Sequence, residues 1–175
     1  MQIALSRKGD YSVRAMIDIA RHYQERRRKA REIARTMDIP ERYLPQLLAP
    51  LVHAGLLIAT AGPDGGYELA IPPAAISLLR IVELAEGPLE SPECVFGGGP
   101  CDWAGVCPAH EAWTEGRAAL ERRLDRTTLA DLAARDAAIE RGDVAQPSIA
   151  LHPVTVQRRG LRDVRTQGRP GARER

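Results

Sequence analysis

Apolar residues recur along the first third of the chain with the period of an α-helix, and the period then changes to that of a strand. Between Asp10 and Tyr23, the residues Tyr11, Ala15, Met16, Ile19, Ala20 and Tyr23 fall on one helical face. A basic run, Arg26-Arg27-Arg28-Lys29, separates this helix from a second, in which Ala30, Ile33, Ala34 and Met37 share a face. Asp38-Ile39-Pro40 breaks the pattern as a short turn does. A third stripe, Leu44, Leu47, Leu48, Leu51 and Val52, runs to Gly55, a residue suited to the positive φ of a helix end. Leu56-Leu57-Ile58-Ala59, the turn-forming Gly62-Pro63-Asp64-Gly65-Gly66 and the alternating Tyr67-Glu68-Leu69-Ala70-Ile71 then predict a β-hairpin with a glycine-rich tip. Three helices, the last two joined by a tight turn and followed by a hairpin, predict a winged helix-turn-helix. The expected fold class is mainly α with a small β wing.

Two prolines complicate the third helix. An interior proline costs about 3 kcal/mol through a lost hydrogen bond and a ring clash. Pro45 is tolerable if the helix begins near Arg42 or Tyr43, whereas Pro50 predicts irregularity. Pro72-Pro73 ends the wing, and Ser77 caps a fourth helix through Ala85 that stops at Gly87-Pro88. Leu89 to Val106 reads as loop. A long helix is expected from Pro108, with Trp113, Leu120 and Leu124 on one side. Thr128, with Asp131 three residues on, caps a last helix holding Leu129, Leu132 and Ala133. Beyond Gly142 the chain is arginine-rich with few apolar residues, and disorder is expected. The resulting division is 1–88 for a winged helix-turn-helix that binds DNA, 89–107 for a cysteine loop that holds a cluster, 108–141 for a dimerisation helix and a last helix, and 142–175 for a disordered arginine-rich tail.

Composition sharpens this picture. Of 175 residues, 44% are apolar but 4% aromatic, so the core must be built from Leu, Ile, Val and Ala, which favours helices. No apolar run approaches the roughly 18 residues of a membrane span. The first residues lack the apolar stretch of a secretory signal, and three cysteines cannot all pair, so a cytoplasmic protein without a disulfide framework is expected. The net charge of +2 is unevenly spread: residues 1–35 carry ten basic and four acidic side chains, residues 71–142 seven and twelve, residues 143–175 seven and three. A basic front suits a protein that meets a polyanion with one part only.

The candidate chemistry lies in the cysteines. Cys94, Cys101 and Cys107 fall within fourteen residues at a C-x6-C-x5-C spacing, among glycines that let the backbone wrap closely. Converging thiolates are the ligands of iron–sulfur clusters, often with another donor at the fourth position. His110, three residues after Cys107, lies on the same side of a helix and is a candidate fourth ligand. Asp10 is another. A structural zinc site is the alternative, although such sites normally use shorter gaps between ligands. A peroxide-sensing thiol pair and three unrelated buried cysteines also fit the composition. No nucleotide-binding fingerprint, phosphate loop or nucleophile–base motif stands in the sequence, so no enzyme and no small-molecule substrate are expected.

The segments Lys8 to Met16, Tyr43-Leu44 through Ala54-Gly55-Leu56, Gly65-Gly66-Tyr67, Glu86-Gly87-Pro88-Leu89, the cysteine loop and Thr127 to Leu132 occur in register. Together they resemble the Rrf2 family of winged-helix transcription regulators over about residues 1–140. The resemblance implies a homodimer paired through the long helix, acting on double-stranded DNA as a repressor. It also implies one iron–sulfur cluster per subunit, on Cys94, Cys101 and Cys107, that senses redox state, nitric oxide or iron status. His110 matches the fourth ligand of a family branch that holds a 2Fe–2S cluster. Asp10 matches that of a branch that holds 4Fe–4S across the dimer. The expected DNA-contacting residues are Arg42, Tyr43 and Gln46, with Gly65 and Gly66 at the wing. Glutamine can read adenine, and arginine a guanine or a phosphate. Three departures bear on site preference: Ala61 replaces a wing arginine, Val52 and His53 replace basic residues, and Pro45 replaces a glutamate.

Overall fold

The computed structural model describes residues 5–89 and 107–144. Six helices and one hairpin follow in order: α1 (Arg7–Arg21), α2 (Ala30–Met37), a 3-10 turn (Glu41–Tyr43), α3 (Leu44–His53), β1 (Leu57–Thr60), β2 (Gly66–Leu69), α4 (Leu78–Glu86), α5 (His110–Arg126) and α6 (Leu129–Arg141). The predominantly helical winged helix-turn-helix expected from the sequence is present.

Helix α1 starts three residues before the expected Asp10, because Ser6 caps it. The Ser6 hydroxyl accepts from the backbone N–H groups of Lys8 and Gly9, which an apolar-periodicity argument does not register. Helix α2 ends at Asp38, whose φ of 53° makes the sharp reversal into the next helix. An aspartate is among the few non-glycine residues that tolerate this left-handed conformation. The proline problem in the third helix is resolved at its start. A 3-10 turn precedes Leu44, so Pro45 sits in the first turn of α3, where its missing N–H costs nothing. Helix α3 continues past Pro50 to His53.

The core is where the stripes meet. Met16 and Ile19 of α1, Ile33 of α2, and Leu44, Leu47, Leu48 and Leu51 of α3 are buried together. Leu57 and Leu69 of the hairpin, Ile76, Ile81 of α4 and Leu129 of α6 complete the cluster. Burying each such side chain contributes about 1.5–3 kcal/mol. The hairpin is antiparallel with Leu57 opposite Leu69 and Thr60 opposite Gly66, which puts both leucines on the core side. Arg28 adds a one-residue third strand: its N–H donates to the Tyr67 carbonyl at 2.8 Å and its carbonyl accepts from the Tyr67 N–H at 2.9 Å.

Helix α6 returns to α1, and its Leu129 joins the core cluster. Thr128 caps it with Asp131, as expected, and a bridge between Ser77 and Thr128 joins the starts of α4 and α6. Arg21 of α1 pairs with Asp136 at 2.9 Å and with Glu140, holding α6 along α1. Among the described residues, no helix is long and apolar enough to cross a membrane.

Candidate DNA interface and sensor residues

The recognition helix divides its residues by the same periodicity that formed it. Leu44, Leu47, Leu48 and Leu51 face the core, while Arg42, Tyr43 and Gln46 face outward. Tyr43 is 43% exposed, unusually open for an aromatic side chain. The Arg42 guanidinium lies over its ring, 5.5 Å from the centroid. A cation held on a ring face is pre-oriented and keeps its donors available. All three expected reading residues therefore share one solvent-facing surface at the start of the helix.

Gly65 and Gly66 have another role beside any DNA contact. A Cβ on Gly66, whose φ is +148°, would stand 2.6 Å from the Arg28 carbonyl oxygen. A Cβ on Gly65 would stand 2.2 Å from the Thr60 carbonyl oxygen. Both glycines let the wing backbone close on itself and on the Arg28 strand.

Beneath the wing lies a buried ion pair that the sequence reading did not foresee. Arg28 donates to both carboxylate oxygens of Asp18, at 2.7 and 2.9 Å, and Nη2 also reaches the Thr36 hydroxyl at 3.3 Å. Both charged side chains are almost fully enclosed. The hydrogen bond that Arg28 donates to Asp18 raises the Arg28 pKa above its ordinary value against the opposing effect of burial. Asp18 falls between Ala15 and Ile19 on the apolar face of α1, and a lone acid in such a stripe is the signal that calls for a cation. Glu32 is held well below the usual carboxylate range, at about 2, by the Arg26 side chain and then by the backbone N–H of Lys29. Together these contacts anchor the segment between α1 and α2 to which the wing is attached.

Glu86, the last residue of α4, is a second junction missed by the sequence reading. One carboxylate oxygen accepts from the Ser6 N–H at 2.9 Å, the Ser6 hydroxyl at 2.6 Å and the Gly9 N–H at 3.0 Å. The end of α4 is thereby locked to the first turn of α1.

The expected sensor residues are partly in view. Cys94 and Cys101 lie outside the described residues. Cys107 is a free thiol, half-buried one turn before α5, and its carbonyl accepts from the His110 N–H at 3.1 Å. The His110 side chain is exposed. Asp10 accepts from Arg14 at 2.9 Å and is 42% exposed. Among the described residues, no three metal-binding side chains converge.

A winged helix-turn-helix with an outward-facing reading surface is a DNA-binding module, and comparison with known proteins specifies it further. Residues 5–135 match the model of Rrf2, described as an iron-dependent transcriptional regulator. The chain belongs to the Rrf2 family and is a DNA-binding transcription regulator, not an enzyme. It is 36% identical to the HTH-type transcriptional regulator CymR of Bacillus subtilis, over 74% of this chain and 88% of CymR. With the HTH-type transcriptional regulator IscR of Vibrio cholerae it shares 31%, over 79% of this chain and 80% of IscR. Among solved structures, CymR of B. subtilis, the global cysteine regulator, superposes with a TM-score of 0.68 at 34% identity, covering 77% of this chain and 98% of CymR. IscR of T. potens gives 0.64, also at 34%, covering 83% of this chain and 95% of IscR.

Proposed function

We propose that the protein is a homodimeric repressor whose DNA binding responds to an iron–sulfur cluster held by Cys94, Cys101 and Cys107. The observation that carries this reading is the spacing of three thiols in the segment that connects α4, at the edge of the DNA-binding part, to α5. Cys107 fits the donor chemistry as a free, half-buried thiol. His110 or Asp10 would complete the set. When bound, such a cluster supplies iron that responds to oxidant, nitric oxide and iron supply. The chain's own residues provide the route to DNA. Glu86 ends α4 and grips the first turn of α1; Arg7 and Lys8 of that turn, with Tyr11 just after it, line a cavity shared with Tyr43 and Gln46 of the expected reading surface and with the buried Leu47. A change in the segment after Glu86 thus has a route toward the recognition helix, by hydrogen bonds to the start of α1 and then by the packing of that turn beside Tyr43 and Gln46. The cluster-bound and cluster-free states must differ in DNA affinity for the signal to be read.

Isolation without air tests the reading. The expected product contains iron and acid-labile sulfide and absorbs in the visible. His110→Ala or Asp10→Ala, whichever removes the fourth ligand, loses the cluster. Equal duplex affinity with and without the cluster defeats the sensing role. The similarity to CymR supports a second reading, a cysteine-responsive regulator with no cluster, and colourless protein free of iron and sulfide favours it. Bound zinc in that colourless protein indicates a structural metal site instead.

A further inference from the structure

The basic front of the chain is not one uniform patch, because its ion pairs sort it. Of the ten basic residues in positions 1–35, five arginines are neutralised: Arg14 by Asp10, Arg21 by Asp136 and Glu140, Arg26 by Glu32, Arg27 by Glu68 and Arg28 by Asp18. Arg7, Lys8, Arg31 and Arg35 are exposed and have no acidic partner among the described residues. Three of these four cations line two clefts, Arg7 and Lys8 one and Arg31 the other, and Arg35 lines neither.

Both places adjoin the start of the recognition helix. Arg7 and Lys8 line a cavity of about 300 Å³ shared with Tyr11, Pro40, Tyr43 and Gln46. Arg31 lines a larger cleft of about 480 Å³ between the start of α2 and the wing, shared with Lys29, Glu41, Thr60 and Gly66. In that cleft Lys29 is occupied in part, donating to the Pro63 carbonyl at 2.6 Å, and Glu41 contributes one negative charge. The first place thus carries the greater net positive charge. Its position is also fixed, since Glu86 holds the Ser6–Gly9 turn that presents both cations.

We propose that Arg7 and Lys8 seat a DNA backbone phosphate beside the Tyr43–Gln46 reading surface, and that Arg31 seats a second beside the wing. This inference rests on duplex DNA being the partner and assigns to these three residues affinity without sequence preference. Phosphate contacts set register on the duplex, while base-edge contacts discriminate sequence. Each phosphate neutralised also releases counterions and steepens the salt dependence of binding.

The test is duplex affinity measured across salt concentrations by fluorescence anisotropy, on anaerobically isolated full-length protein. Two probes are used, a random-sequence duplex and a duplex selected for tight binding to the parent. The variants are Arg7→Ala/Lys8→Ala, Arg31→Ala and, as a control, Arg27→Ala, which removes an arginine already paired with Glu68; melting temperatures check that all fold. The double variant and Arg31→Ala are each expected to lower the slope of log affinity against log salt by about 1 per bound subunit, about 2 for a dimer on the duplex, since one phosphate contact is worth about 1. Both should weaken the two duplexes by the same factor, and Arg27→Ala should leave the slope unchanged. Parental slopes in both test variants overturn the inference, as does an equal fall in the Arg27 control. If the parent itself binds neither duplex, the DNA-binding role fails with it, a result distinct from a binding parent with indifferent variants.

Discussion

Asp18 and Arg28 show how one residue pair can control an element it does not belong to. The pair has little access to water, and Arg28 at the same time lends its backbone to the wing through Tyr67. Removing one partner strands the other as a buried charge, a loss of about 3–5 kcal/mol. Asp18→Ala is therefore expected to lower the unfolding free energy by that amount in denaturant titration. Asp18→Leu/Arg28→Met, which removes both charges, should recover most of it. A double variant no more stable than the single one would mean that the charges themselves are not the cause. Glu32 gives a pH-dependent counterpart. Its folded pKa of about 2 lies below the ordinary 4.5, so the folded state favours the ionised carboxylate. That stabilisation is fully present above about pH 4.5 and is lost as pH falls toward 2. Glu32→Gln lacks it, so between these limits its melting temperature should fall less steeply than that of the parent.

Among the elements, the wing depends most on backbone fit. Gly66→Ala places a methyl group against the Arg28 carbonyl and forces a residue with a side chain into φ of +148°. The expected outcome is a displaced hairpin, lower stability and weaker binding to every duplex, with the preference between duplexes unchanged where Gln46 is intact. Stability and affinity both at parental levels would show that the wing accommodates the change. Helices α1 to α3 and the hairpin were legible in the sequence because their apolar positions became buried faces, whereas the stripe that marked α5 is only half-covered. Leu44, Leu47, Leu48 and Leu51 are the clearest case, and their period also located Arg42, Tyr43 and Gln46 on the opposite side. What escaped was set by polar side chains meeting across the fold. Glu86 lies 80 residues from Ser6, and no local pattern connects them. The helix start at Arg7 escaped for a related reason, since a serine cap carries no apolar period. The basic run at 26–29 gave no sign that Arg28 would be buried while Arg26 and Arg27 stayed outside, because that division depends on Asp18.

At the scale of the molecule, α5 is the helix that has no fully buried residue among the described residues. It is 17 residues long, and Trp113, Leu120 and Leu124 are each half-covered. A helix with an apolar stripe is stable when that stripe is enclosed, and a second α5 offers a matching surface by two-fold symmetry. The neighbouring α6 is already committed, fixed along α1 by Arg21. Pairing through α5 would set two recognition helices on one duplex, where half-sites lie one helical turn, about 34 Å, apart. Leu120→Glu puts a charge into the stripe without altering the reading surface. It is expected to convert a dimer to a monomer in sedimentation velocity while circular dichroism stays helical. Loss of the second reading head removes the gain of a linked binding event, so affinity for a two-half-site duplex should fall by at least about 100-fold. Affinity for a single half-site should change little. A variant that still sediments as a dimer would place the subunit contact elsewhere, and a parent that is itself monomeric would remove the α5 stripe as its explanation.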